Sequence, residues 1–262
     1  MKFSCLTTVA PGKTLVEQCA AIAASGCTGI ETILFPDTQL ERWQQAIRQA
    51  TSNVGLQTVA VILGGLALDQ PDFPAWVREA LPAIHETGAA ALLTPEYRTQ
   101  DPLPLFPPYV ALPLAAQAQV DAALAEISSL VRKLNMLLLL EPVTQFESRF
   151  WRDVETVVQV CERLNNPNVG LALDFHNMNI TEANINASLR RAGPWVRHIH
   201  LADSNRRLPG EGHIDFASGM ATLRAMGYEG WYSFECAVWG NFSAAIKQTV
   251  DALMQAEQVK SV

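Results

Sequence analysis

The chain has 262 residues, 49% hydrophobic and 17% charged, with a net charge of −7. That apolar content can fill a sizeable core and excludes the disordered class. The acidic balance, with no stretch that concentrates Lys and Arg, excludes the electrostatic footprint of a nucleic-acid binder.

Strand-like and helical patterns alternate from the start. Lys2–Leu6 reads as a strand and Thr14–Ala24 as a helix. Thr28–Ile33 is a second strand, and Thr38–Thr51 a helix with Leu40, Trp43 and Ile47 at helical spacing. Leu56–Leu63, rich in β-branched residues, is followed by a helix over Pro74–Thr87 and a strand over Ala90–Leu93. The stretch Thr94–Pro113 holds Pro95, Pro102, Pro104, Pro107, Pro108 and Pro113, which excludes regular helix. It reads either as a lid over the mouth of the fold or as a rigid surface excursion. A helix over Ala115–Leu134 then precedes the strand Met136–Glu141, and Arg152–Leu164 precedes Val169–Asp174. The next helix is expected from about Thr181, and the next strand at Val196–Leu201. A helix N-capped by Asp215 and the strand Gly230–Glu235 follow, and Ser243–Gln255 closes the series.

Eight strand–helix units in one chain predict an α/β fold, a (β/α)8 TIM barrel, as a single domain over 1–262. A doubly wound open sheet would also alternate, but it would be expected to carry a Gly-rich first turn, and Thr7–Lys13 contains one Gly. No stretch reaches the apolar length of a membrane span, and Met1–Ala10 lacks the pattern of a secretory leader. Five scattered cysteines without a CxxC pair read as free thiols. The expected location is the cytoplasm, with no membrane and no nucleic-acid partner.

Four apolar runs end on a residue able to bind metal: Met136–Leu140 before Glu141, Val169–Leu173 before Asp174, Val196–Ile199 before His200, and Trp231–Phe234 before Glu235. In a barrel the carboxyl ends of the strands converge on one face. Two Glu, one Asp and one His there make an oxygen-rich set for one divalent ion. His198 shares a face with His200 and reads as a deeper, hydrogen-bonded core histidine. Arg206, in the loop after this strand, could aim a fork of donors at substrate oxygens.

Several segments together resemble a known family. They are Glu141-Pro-Val-Thr-Gln-Phe-Glu147, Leu173-Asp-Phe-His176, and His198-Ile-His-Leu-Ala-Asp203 with Asn205-Arg206. Pro209-Gly-Glu-Gly-His-Ile-Asp-Phe216, Tyr232-Ser-Phe-Glu235 and Gly29-Ile30-Glu31 add to them. The chain resembles the xylose isomerase-like TIM-barrel superfamily, and within it the sugar phosphate isomerase/epimerase group with its ketose 3-epimerases and hydroxypyruvate isomerases. The resemblance implies that Glu141, Asp174, His200 and Glu235 bind one divalent ion, manganese first, with magnesium or cobalt as alternatives. It implies that Glu141 and Glu235 are the catalytic acid/base pair and that Glu147, His176 and Arg206 contact substrate. Epimerases of this group carry a substrate-binding His three residues beyond the Asp; here Asn177 holds that place and His176 precedes it.

The expected activity is isomerisation or epimerisation of a small sugar or keto acid, by proton transfer through a metal-stabilised cis-enediolate. An inosose dehydratase on the same scaffold is the nearest alternative. An AP-endonuclease-like repair enzyme would need more histidines than the five present, and a non-catalytic barrel should have lost a ligand. Family habit implies a homodimer or homotetramer.

Overall fold

The structure is a computed structural model that describes residues 1–64, 68, 70–95, 114–148 and 150–258. Eight parallel strands close on themselves in chain order. They are β1 (Lys2–Leu6), β2 (Gly29–Leu34), β3 (Gln57–Leu63), β4 (Ala90–Leu93), β5 (Leu138–Leu140), β6 (Val169–Asp174), β7 (Val196–Leu201) and β8 (Trp231–Phe234). Among the described residues nine α-helices surround them: α1 (Leu15–Ala24), α2 (Leu40–Ser52), α3 (Phe73–His85), α4 (Leu114–Leu134), α5 (Val154–Leu164), α6 (Phe175–Thr181), α7 (Ile185–Ala192), α8 (Phe216–Ala225) and α9 (Phe242–Gln258). This is the single-domain TIM barrel that the alternation predicts. None of the described helices is long and apolar enough to cross a membrane.

Strands covered on both faces need continuous apolar runs, and β4, β5 and most of β3 supply them. One face of each strand packs under the helices in the main core. The other face fills the barrel unevenly. Leu6, Ala60, Ile62, Leu92, Leu139 and Ala172 form a separate apolar cluster. Ser4, Glu31, His198, His200 and Ser233, on β1, β2, β7 and β8, are buried polar residues.

Most boundaries fall within three residues of expectation, and two of the differences bear on the site. The strand predicted to run through Glu141 ends at Leu140, although the Glu141 N–H still donates to the Leu93 carbonyl at 3.1 Å and so extends the ladder. The helix expected from Thr181 instead begins at Phe175. The Asp174 carboxylate accepts from the His176 N–H at 2.7 Å and caps α6 directly at the strand end. Glu182 is extended, and the Asn184 side chain caps a second helix, α7. The stretch 94–113, read as either a lid or a rigid surface excursion, lies, beyond Thr94 and Pro95, outside the described residues.

Candidate active site

The four strand-end residues come together at the carboxyl mouth of β5–β8. Asp174 is the last residue of β6 and pairs in register with His200 of β7, which in turn pairs with Ser233 of β8. Glu141 and Glu235 each lie one residue past their strand; the Glu235 N–H donates to the Leu201 carbonyl at 3.3 Å. One donor atom from each of Glu141, Asp174, His200 and Glu235 lies within 4.8 Å of the others. Asp174, His200 and Glu141 are buried, while the Glu235 side chain is 17% exposed toward the mouth.

Three of the four donors are held from behind. His200 Nδ1 lies 2.9 Å from Glu141 Oε1 and 3.4 Å from Glu235 Oε2. Its Nε2 faces the other way, 3.3 Å from Glu31 Oε1. The Thr94 hydroxyl donates to Glu141 Oε2 at 2.7 Å. Asp174 divides its oxygens, one on the His176 N–H and the other 2.6 Å from Arg206 Nη1.

Converging carboxylates repel and disfavour ionisation, whereas a cation among them reverses the effect. Burial pushes the Glu235 carboxyl up to about 8; Glu141 and Asp174 add to the rise, and His200 and Arg206 oppose it. Burial disfavours a charged His200, yet Glu31, Glu141 and Glu235 raise its pKa well above the usual imidazole value. Three carboxylates and one imidazole converging within 4.8 Å form a donor set suited to a divalent cation. Glu141, Asp174, His200 and Glu235 would hold it.

The loop after β7 presents Arg206 to this group. Asp203 is fully buried, and its carboxylate accepts from the N–H groups of Ser204 (2.7 Å), Gly210 (2.8 Å) and Ile214 (3.1 Å). Burial raises its pKa, but these backbone donors outweigh it and the pKa is lowered. A Cβ at Gly212 would sit 2.2 Å from Asp203 Oδ1, so glycine is required there. The Arg206 N–H donates to the Asp203 carbonyl at 2.8 Å, and the Ala237 N–H donates to the Arg206 carbonyl at 2.7 Å. Between these anchors Arg206 adopts a left-handed φ of 57°, which costs about 1–3 kcal/mol in a non-glycine residue. Its guanidinium reaches Asp174, Glu235 at 3.6 Å, Asn177 Oδ1 at 3.4 Å and Glu147 at 3.9 Å.

Of the expected substrate-contacting residues, Arg206 and Glu147 therefore stand beside the quartet. Glu147 is turned by hydrogen bonds from the Thr144 N–H (3.2 Å) and hydroxyl (3.0 Å). His176 ties its Nδ1 to the Asp203 carbonyl at 3.0 Å and so links α6 to the loop. His198 is buried as expected, with Nε2 2.9 Å from Glu31 Oε1, but among the described residues that nitrogen makes no hydrogen bond. Asp215 caps α8 through the Ser218 N–H at 3.0 Å, as expected.

Three further residues belong to this neighbourhood and were not singled out individually in the sequence: Glu31, Thr94 and Asp203. Glu31 had a signal, a lone carboxylate inside the apolar run Gly29–Leu34. Asn177 is buried, and its Nδ2 lacks a partner among the described residues.

Comparison with known proteins agrees with the fold. The family described as xylose isomerase-like TIM barrel matches residues 19–256. An L-ribulose 3-epimerase from Mesorhizobium japonicum is 34% identical over 114 residues, 44% of this chain and 38% of that protein. A ketose 3-epimerase from Arthrobacter globiformis is 29% identical over 46% of this chain and 42% of its own. These matches thus span less than half of either relative's length. The crystal structure of a 3-keto-D-glucoside 4-epimerase from E. coli superposes with a TM-score of 0.84, covering 97% of this chain and 99% of that one at 19% identity. At that identity the likeness shows the fold.

Proposed function

The chain belongs to the xylose isomerase-like TIM barrel family, and from that premise we propose that it is a divalent-metal-dependent sugar epimerase or isomerase acting on a small ketose. The observation that carries the reading is the convergence of Glu141, Asp174, His200 and Glu235, from four successive strands, within 4.8 Å. The relatives named for ketose 3-epimerisation favour epimerisation within this class.

The reaction must move a proton on a carbon next to a carbonyl. The ion, when bound, polarises the carbonyl and offsets the enediolate charge. Glu141 and Glu235 project from strands separated by β6 and β7, so a substrate across the mouth has a carboxylate on either side. One takes the carbon-bound proton onto a carboxylate oxygen, and the other delivers a proton from the opposite face; exchange with solvent resets both. Delivery to the same carbon inverts it. Delivery to the neighbouring carbon, with a proton shift between the oxygens, interconverts aldose and ketose. Arg206 and Glu147 orient substrate hydroxyls, and the exposed edge of Glu235 gives that carboxyl access to solvent protons.

The test is a panel of ketoses, aldoses, ketose phosphates, hydroxypyruvate and inosose, incubated with the chain and Mn2+ in D2O and followed by proton NMR. The expected result is deuterium at one carbon next to the carbonyl of a ketose, with its epimer as product. Loss of water from inosose would select the dehydratase instead. No exchange with any ketose would overturn the proposal.

A further inference from the structure

Glu31 is fully buried in the middle of β2, faces the barrel interior and is absent from the quartet. A buried carboxylate is costly without strong partners. Two imidazole nitrogens face it, and the one from His200 makes the hydrogen bond. His198 Nε2 lies 2.9 Å from Oε1, and His200 Nε2 lies 3.3 Å from Oε1 and 3.2 Å from Oε2.

We propose that Glu31 is a positioning residue that fixes the ring orientation and tautomer of His200, so that Nδ1 is the nitrogen offered to the cation. The inference rests on the metal-binding reading above. An ionised carboxylate only accepts hydrogen bonds, so an Nε2 facing it carries its N–H. A neutral imidazole with its proton on Nε2 has its lone pair on Nδ1. That atom is the one that faces Glu141 at 2.9 Å and Glu235 at 3.4 Å. His198 packs edge-on against His200, with ring centroids 5.1 Å apart and an interplanar angle of 84°. It thus limits rotation of the His200 ring while its own Nε2 sits against the same Glu31 oxygen. The result is a carboxylate–imidazole–cation line running from the barrel interior to its mouth, the arrangement by which an outer partner orients a metal ligand.

The experiment uses the full chain, 15N-labelled and loaded with Zn2+ as a diamagnetic probe. Long-range 1H–15N correlation reads the ring nitrogens of His200. The expected pattern is a protonated Nε2 and a metal-shifted Nδ1; a proton on Nδ1, or metal on Nε2, overturns the proposal. Glu31→Gln keeps the shape but turns one acceptor into a donor. Mn2+ affinity by titration calorimetry should fall about 10- to 100-fold. Glu31→Asp, which keeps the carboxylate but withdraws it, should lose affinity in the same direction and serves if the Gln variant fails to fold. Unchanged affinity in a folded variant overturns the proposal. So does a stoichiometry of two ions per chain, which would make Glu31, His198 and His200 ligands of a second ion. Failure of the ketose reading is separately visible, as absent deuterium incorporation while the His200 pattern stands.

Discussion

A carboxylate at the end of an apolar strand is expensive to bury, and three facing one another are more so. In this site the expense appears as retained protons. Glu235 is shifted to about 8, and the acidic neighbours of His200 outweigh its burial and raise its pKa. A cation must displace those protons, so binding and pH are linked. At pH 7, Mn2+ binding should release on the order of one proton or more per ion, and affinity should rise as pH climbs toward the Glu235 value. Calorimetry in two buffers of different ionisation enthalpy counts the protons; a count of zero with pH-independent affinity would contradict the electrostatic account. Arg206 is the second residue-scale test. Its planar fork reaches Asp174, Asn177 and Glu147 together, whereas a lysine offers one compact charge. Arg206→Lys should cost about 1.5–3 kcal/mol of transition-state stabilisation, read as a fall of roughly tenfold or more in kcat/KM; wild-type kcat/KM would remove Arg206 from the site.

At the scale of elements, the loop from Asp203 to Ile214 is what turns a strand end into a presented guanidinium. Its organiser is a buried carboxylate gathering backbone N–H groups across the whole loop. Asp203→Asn sets an amide N–H2 against those donors and should destabilise the fold by about 1–3 kcal/mol, measured by thermal or urea unfolding. Activity should fall further than stability alone explains, because Arg206 loses its anchor. An Asn variant as stable and active as the parent would leave the loop geometry without its stated cause. This scale also explains what the sequence could and could not reveal. Glu141, Asp174, His200 and Glu235 were legible because each stands at the end of a strand-like run, where a barrel gathers side chains. Glu31 interrupts such a run in the middle, where the same residue type reads as a misfit. Asp203 looked like an ordinary loop residue, since only the folded loop brings Gly210, Gly212 and Ile214 back to it. The α6–α7 break was hidden because Asp174 ends a strand and caps a helix at once.

At the scale of the molecule, the barrel interior is divided. One wall is apolar, from Leu6, Ala60, Ile62, Leu92, Leu139 and Ala172, and the polar residues gather on β1, β2, β7 and β8. Closing the sheet brings β8 back beside β1, which lets Glu31 near the start of the chain support His200 near its end. A cation bound to the native mouth but not to the unfolded chain must stabilise the whole barrel by mass action. Mn2+ at about a hundred times its Kd should add about 2.7 kcal/mol, and a chelator should reverse it; a thermal midpoint indifferent to both would argue against a resident ion.

The central claim is that Glu141 and Glu235 move the proton from opposite sides of the substrate. It is tested most directly by deuterium incorporation from D2O into the accepted ketose, comparing the Mn2+-saturated parent with Glu141→Gln and Glu235→Gln. Each substitution should slow exchange about 10²- to 10⁴-fold, the usual contribution of a positioned acid or base. Exchange at the parental rate in both variants would contradict the assignment.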